Sequence, residues 1–361
     1  LIWGGTEGVL SAQVTFAKYI GGAGWDYAES IVQTADGGYA IAGSYQAAGS
    51  YDVYIVKYDA GGTLLWTRTI GGANTDMGHC IVEATDGGLV VTGETYSYGA
   101  SIGWPDLYLV KLDAGGNLLW TRTEGGGGND FGRTIINTTD GGYAIAGHTS
   151  SFPVGGNPMP IYVVKVDASG TIQWTRTIGG VSFTTKFAAH SIVQTSDGGY
   201  AICGDAGLSG GSIEVYVAKL NSSGTVLWTR TIGGVGSDHG HSIVEATDGG
   251  LVVAGDFDQQ ICVVKLNSTG TLQWANAYGS LTGSGNESIV NTSDGGYAVK
   301  AIGGMMKIDA SGGFQWANTI SGFNGNIVYS SIIQTIDGGY AFTGFTGGVA
   351  DGYIVKLDAS G

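Results

Sequence analysis

The sequence predicts an all-β chain folded as a seven-bladed β-propeller, with four antiparallel strands per blade and the last blade closed by the N-terminal strand. Three observations carry this. The tripeptide Asp-Gly-Gly recurs at Asp36, Asp86, Asp140, Asp197, Asp248, Asp294 and Asp337, at intervals of 50, 54, 57, 51, 46 and 43 residues. A tryptophan follows six of the seven copies, at Trp66, Trp120, Trp174, Trp228, Trp274 and Trp316. The seventh copy lacks one, and the missing piece stands at the other end. There V-T-F-A-K-Y-I-G-G (14–22) reads like W-T-R-T-I-G-G with Phe16 in the Trp place. Residues 337–361 and 13–36 together make one ordinary repeat of 49 residues. Closure has a physical motive, because an incomplete blade would leave a bare strand edge. An open β-solenoid is the alternative architecture, but it has no use for a fragment that completes the opposite end.

Within the first repeat, four strands are expected at 30–34, 38–44, 52–58 and 64–69. Val, Ile, Tyr, Thr and Trp fill them, and Gly and Asp fill the turns at 36–38 and 59–62. The high glycine content, 68 residues, is assigned to these repeated turns. Nothing has helical periodicity of useful length. Residues 1–12 are read as a tail or linker and 13–361 as the propeller.

The recurring D-G-G-Y-A-I-A-G, Y-I-V-K-Y-D-A-G-G and W-T-R-T-I-G-G motifs resemble the bacterial and archaeal β-propeller repeat proteins, seven-bladed and distantly similar to quinoprotein and WD40 propellers. The resemblance implies the fold and no particular activity. The run D-A-G-G-N-L-L-W (113–120) also resembles the blade-closing motif of quinone-dependent dehydrogenases, which carry adjacent cysteines at the cofactor. Here Cys80, Cys203 and Cys262 fall in different repeats, and no cofactor is expected.

Net charge is −15 with only 15 Lys and Arg. Most of those are repeat columns: Lys57, Lys111, Lys165, Lys219, Lys265, Lys307 and Lys356 on the third strands, and Arg68, Arg122, Arg176 and Arg230 on the fourth. Both columns are expected to pair with repeat carboxylates or to lie along blade edges. Little positive charge is left for phosphates, so a nucleic-acid partner is excluded. Three scattered cysteines argue against a disulfide framework, and no apolar run is long enough for a transmembrane helix. A Ser/Thr/Gly-rich, acidic surface points to a secreted or cell-surface protein. Of the Asn-X-Ser/Thr sequons, Asn221 and Asn267 fall in turns open to glycosylation, although Asn there also simply replaces the Asp of sister repeats.

The second-to-third-strand loops are longest in the second and third repeats, 96–106 and 150–160, and hold all four prolines, Pro105, Pro153, Pro158 and Pro160. Proline-stiffened loops carrying Tyr96, Tyr98, Trp104, Phe152 and Met159 are candidate partner-binding elements. The repeats also align with one another, and positions that vary and are polar become candidates. Seven residues before each Asp-Gly-Gly stand Glu29, His79, Arg133, His190, His241, Glu287 and Ser330, expected to begin the innermost strands and ring one channel mouth. His79, His190 and His241 are weak metal-ligand candidates there, coming from blades too separated for one ion. No catalytic motif is present, and the Gly-Gly pairs are not phosphate loops because no helix follows.

The expected function is a non-enzymatic extracellular or surface β-propeller contacting a protein or glycan. A structural subunit of a surface layer or filament, and a propeller lyase or hydrolase acting through His190, His241 and Glu29, are the alternatives.

Overall fold

The inner strand of the first blade runs Asp26–Gln33, followed by Tyr39–Ala47, Ser50–Tyr58 and Leu64–Ile70, each antiparallel to the one before. The same four-strand order repeats in the blades that begin at Asp76, Asp130, Asp238 and Ser288, and in the fourth blade from Phe187. The computed structural model describes residues 13–22, 24–47, 49–101, 103–155, 157, 159–179, 187–208, 211–234, 236–258, 260–279, 287–301, 304–319, 327–328, 331–346 and 352–359. Residues 1–12, Pro158 and Ser330 lie outside the described residues. Every regular element among the described residues is a strand.

The seventh blade is closed as the sequence predicts. Val14–Ile20 pairs antiparallel with Gly352–Leu357, which pairs in turn with Tyr340–Thr346. Phe16 lies opposite Lys356 and Ile20 opposite Gly352. Inner strands of neighbouring blades touch around the ring, and the seventh blade meets the first. The core is correspondingly divided into seven apolar clusters, each filling the gap between two adjacent blades.

Two repeat columns fix the blades. Each third-strand lysine is buried and reaches the Asp-Gly-Gly aspartate of its own blade, from Lys57–Asp36 (3.0 Å) to Lys356–Asp337 (3.0 Å). The arginine column differs from expectation. Arg68, Arg176 and Arg230 donate through Nε to the turn carbonyls of Gly116, Gly224 and Gly270 in the next blade, and Arg122 donates to Ser169 O. Three of these guanidiniums lie 5.3 Å from the ring of the tryptophan two residues earlier, at Trp66, Trp120 and Trp228. The physical reason is that the turn backbone lies under the tryptophan, so the arginine finds exposed carbonyls there before any carboxylate. At the seventh blade the Phe16 ring takes the tryptophan's place beneath Gly62.

Glycines do more than make turns. Gly43, Gly93, Gly147, Gly204 and Gly255 stand inside second strands, where an added Cβ would lie 1.8 to 1.9 Å from a carbonyl oxygen of the inner strand. That close approach accompanies a β-bulge in each of these blades, between Ala28/Ser30, Gly78/Cys80, Gly132/Thr134, Ala189/Ser191 and Gly240/Ser242. The inner strands start three residues before this column, so Glu29, His79, Arg133, His190 and His241 are the extra residue of each bulge rather than the first residue of a strand.

Candidate functional site

Antiparallel order places the second-to-third loops and the blade-to-blade connections at one end of the ring. In blade two, Asp76, Thr95 and Asp106 are successive partners at that end, while Glu83, Leu89 and Leu112 mark the other. The Gly-Gly pairs here bind aspartates through their amides. The amides of Gly22, Gly72, Gly126 and Gly234 donate to Asp26, Asp76, Asp130 and Asp238 at 2.5 to 2.9 Å, and Thr95 and Thr149 hydroxyls cap the other oxygens of Asp76 and Asp130.

The bulge residues converge on a central cavity of about 640 Å³ to which every blade contributes. Glu29, His79, Arg133, His190, His241 and Glu287 all line it. A bulge re-aims a side chain out of strict alternation, which is how one residue per blade comes to face the axis. A second ring backs the first. Fifteen residues after each bulge position stand Ser44, Glu94, His148, Asp205 and Asp256, each immediately after the close-approach glycine of its second strand. Sequence reading missed this ring, although the same self-alignment exposes it as a polar, varying column. Four of the five histidines line the cavity, and the fifth, His239, stacks on His241 with centroids 6.0 Å apart.

The wall divides electrostatically. In blades one to three, buried His79 is held between Glu29 (Nδ1–Oε2 2.6 Å) and Glu94 (Nε2–Oε2 3.1 Å). Burial alone would lower its pKa, but the two carboxylates overcome this, Glu29 foremost, and raise it to about 9. Nδ1 faces Glu29, while Nε2 lies between Glu94 and the Arg133 guanidinium. The Arg133 guanidinium, 3.7 Å from Glu94 and stacked 4.9 Å from the Phe131 ring, completes the balance. Burial pushes Glu94 up, yet bonding to His79 leaves it below its ordinary value. In blades four and five, Asp205 accepts from His190 (3.1 Å) and His239 (2.8 Å) and stays well below the usual carboxylate range despite burial. The bond to Asp205 raises His239. His190 and His241 lie 5.6 Å apart, so two of the three histidines expected to be remote are in fact neighbours. Glu29, expected to work with them, is committed to His79 instead.

A raised histidine pKa has a defined sign. His79 contributes stability that is fully present below its unfolded value near 6.5 and is lost as pH rises through about 9. Urea midpoints of the native chain are expected to fall over that window. Glu29→Gln should flatten the fall, and an identical profile in that variant would refute the pairing.

The loop residues take several positions. Tyr96, Tyr98, Trp104 and Phe152 are exposed at the loop-bearing end, Trp104 the most at 51%. Tyr98 is nonetheless anchored, its hydroxyl donating to Gly71 O (2.7 Å) and its ring lying 5.9 Å from Tyr108. Phe152 packs 5.5 Å from Tyr162. Met159 lines the central cavity, so the blade-three loop folds inward at its end. Asn221 and Asn267 cap third-to-fourth turns through Oδ1, accepting from the amides of Thr225 and Thr271 at 2.8 Å, as Asp59 does from Thr63.

Residues 214–360 match the family described as outer membrane protein assembly factor BamB, a stretch from the third strand of blade four onward and under half of the chain. The likeness is one of repeat and fold. No curated protein sequence matches significantly. Among solved structures, Sqt1 from Chaetomium thermophilum superposes with a TM-score of 0.57 at 14% identity, over 93% of this chain and 82% of that one. Sqt1 bound to the N-terminus of ribosomal protein L10 gives 0.56 at 13% identity, covering 94% and 98%. The extracellular domain of a putative hybrid two-component system from B. thetaiotaomicron gives 0.54 at 14%, covering 95% of this chain and 43% of that one. At such identities the likeness establishes the propeller and nothing of its ligand. No helix among the described residues is long and apolar enough to cross a membrane.

Proposed function

We propose that the ring is a non-enzymatic binding module of the cell surface or extracellular space that takes a protein or glycan partner at its loop-bearing end. The observation that carries this is the clustering of exposed aromatic side chains, Tyr96, Tyr98, Trp104 and Phe152, on the two elaborated loops at one end. Aromatic anchors bury large area at low entropy cost, and they suit both peptide segments and sugar faces. The Sqt1 complex is an instance of the same fold holding the end of another protein, and the two-component relative is an extracellular domain. Both support the reading by analogy of fold alone.

Trp104→Ala is the cleanest test, because Tyr98 is tied into the scaffold and its loss would disturb the loop itself. On arrays of glycans and of peptides, the native chain is expected to retain a defined ligand class. Trp104→Ala should weaken retention at least tenfold while the melting temperature stays within about 2 °C. Undiminished retention in Trp104→Ala and in Phe152→Ala would overturn the assignment.

A further inference from the structure

His79, His190 and His241 each meet two partners: the second-strand residue fifteen positions on, and the bulge-column residue of the next blade. At blades two and three this triplet is His79, Glu94 and Arg133, with Arg133 Nη1 3.0 Å from His79 Nε2 and Nη2 3.7 Å from Glu94 Oε2. A side-chain cation thus closes the triplet. At blades five and six the equivalent triplet is His241, Asp256 and Glu287. His241 Nε2 lies 3.1 Å from Asp256 Oδ1 and 3.5 Å from Glu287 Oε2, and the three donor atoms fall within 4.8 Å of one another. The guanidinium's place is taken by a carboxylate. Two acids, 7% and 2% exposed, therefore face a single imidazole.

That arrangement is expensive without a compensating charge, because buried carboxylates close together repel and are poorly solvated. Two neighbouring imidazoles are bonded to a different carboxylate. His239, stacked on His241, is bonded to Asp205, as is His190. Lys300 is buried near enough to Glu287 to attract it.

We propose that His241 Nε2, Asp256 and Glu287 bind a divalent transition cation of the Zn²⁺ or Mn²⁺ class, with its remaining coordination positions open to the central cavity. Tetrahedral ligation at about 2.1 Å places donor atoms roughly 3.4 Å apart, close to the 3.1 and 3.5 Å that separate His241 Nε2 from the two carboxylates. One imidazole and two carboxylates suit these ions better than Mg²⁺ or Ca²⁺, which favour oxygen alone. His241 and Glu287 also line the cavity, which gives the ion an entry path and room for solvent ligands.

The test is metal counting on the full chain. Chelator-stripped protein is titrated separately with ZnCl₂ and MnCl₂, gel-filtered and assayed for bound metal, with affinities from calorimetry. One ion per chain is expected, with a rise in melting temperature. Glu287→Gln and Asp256→Asn should each weaken binding at least tenfold, while Asp113→Asn, at a third-to-fourth-strand turn outside the cavity, should not. Should either cavity variant fold poorly, the visible absorption of the Co²⁺-loaded native chain reports nitrogen and oxygen ligation directly, and His241→Gln should abolish it. Failure to retain an ion near stoichiometry, or binding by Glu287→Gln equal to the native chain, overturns the site. So does weak uptake of several ions that none of the substitutions alters.

Discussion

A chain lacking Val14–Ile20 is expected to lose cooperative folding or to melt at least about 10 °C lower. That strand supplies the outer edge of blade seven through a ladder from Val14–Leu357 to Ile20–Gly352. It also places Ile20 and Phe16 in the apolar cluster between blades seven and one, against Ile31, Tyr39 and Ile354. Removal exposes the edge of Gly352–Leu357 and opens one of the seven cores. Even the single change Ile20→Asp should cost about 4 kcal/mol, since it puts a charge where a buried aliphatic group packs. Thermal scans and urea titrations read both. A peptide of residues 13–22 added in trans should restore much of the loss if pairing is the cause. A truncated chain that melts like the native one would disprove closure by this strand.

Gly93→Ala is expected to cost about 3 kcal/mol or more and to displace His79. The added Cβ would lie 1.8 Å from Met77 O, a backbone atom of the inner strand, which is itself packed against the inner strands of the neighbouring blades. Relief requires separating the inner and second strands at the bulge, and the bulge aims His79 between Glu29 and Glu94. Gly141→Ala makes the contrast. Gly141 has φ +82° but open space around its Cβ position, so only the left-handed backbone penalty applies, roughly 1 kcal/mol. Urea unfolding ranks the two, and the pH titration of His79 followed by NMR should move in Gly93→Ala alone. Equal costs would mean that the two strands are not held so close.

These glycines mark where sequence reading reached its limit. Blade number, closure by Phe16 and its neighbours, and the lysine column were legible because each follows from spacing and strand chemistry, which repeats make explicit. The bulge was not legible. It inserts one residue without changing composition, so Glu29 to His241 read as strand starts, although aligning the repeats does single out these cavity-lining residues. The partners Glu94, Asp205 and Asp256 were hidden for a related reason: they sit among apolar residues of a second strand, and only the bulge opposite brings them to the cavity. Loop direction was equally unreadable, since length and proline content indicate stiffness but not that Met159 turns inward. The arginines were expected to pair with carboxylates or to lie along blade edges; they stand on the outermost strands, and their partners are turn carbonyls of the following blade.

Those clasps all point the same way round, blades one to four gripping the next blade through arginine and blade five through Asn276. At the junction from the seventh blade to the first, Phe16 provides the ring but Lys18 occupies the arginine position. The circle consequently has a handedness of coupling and a seam. Under mechanical load, rupture should begin between blades seven and one, with the remaining six peeling away in chain order from there.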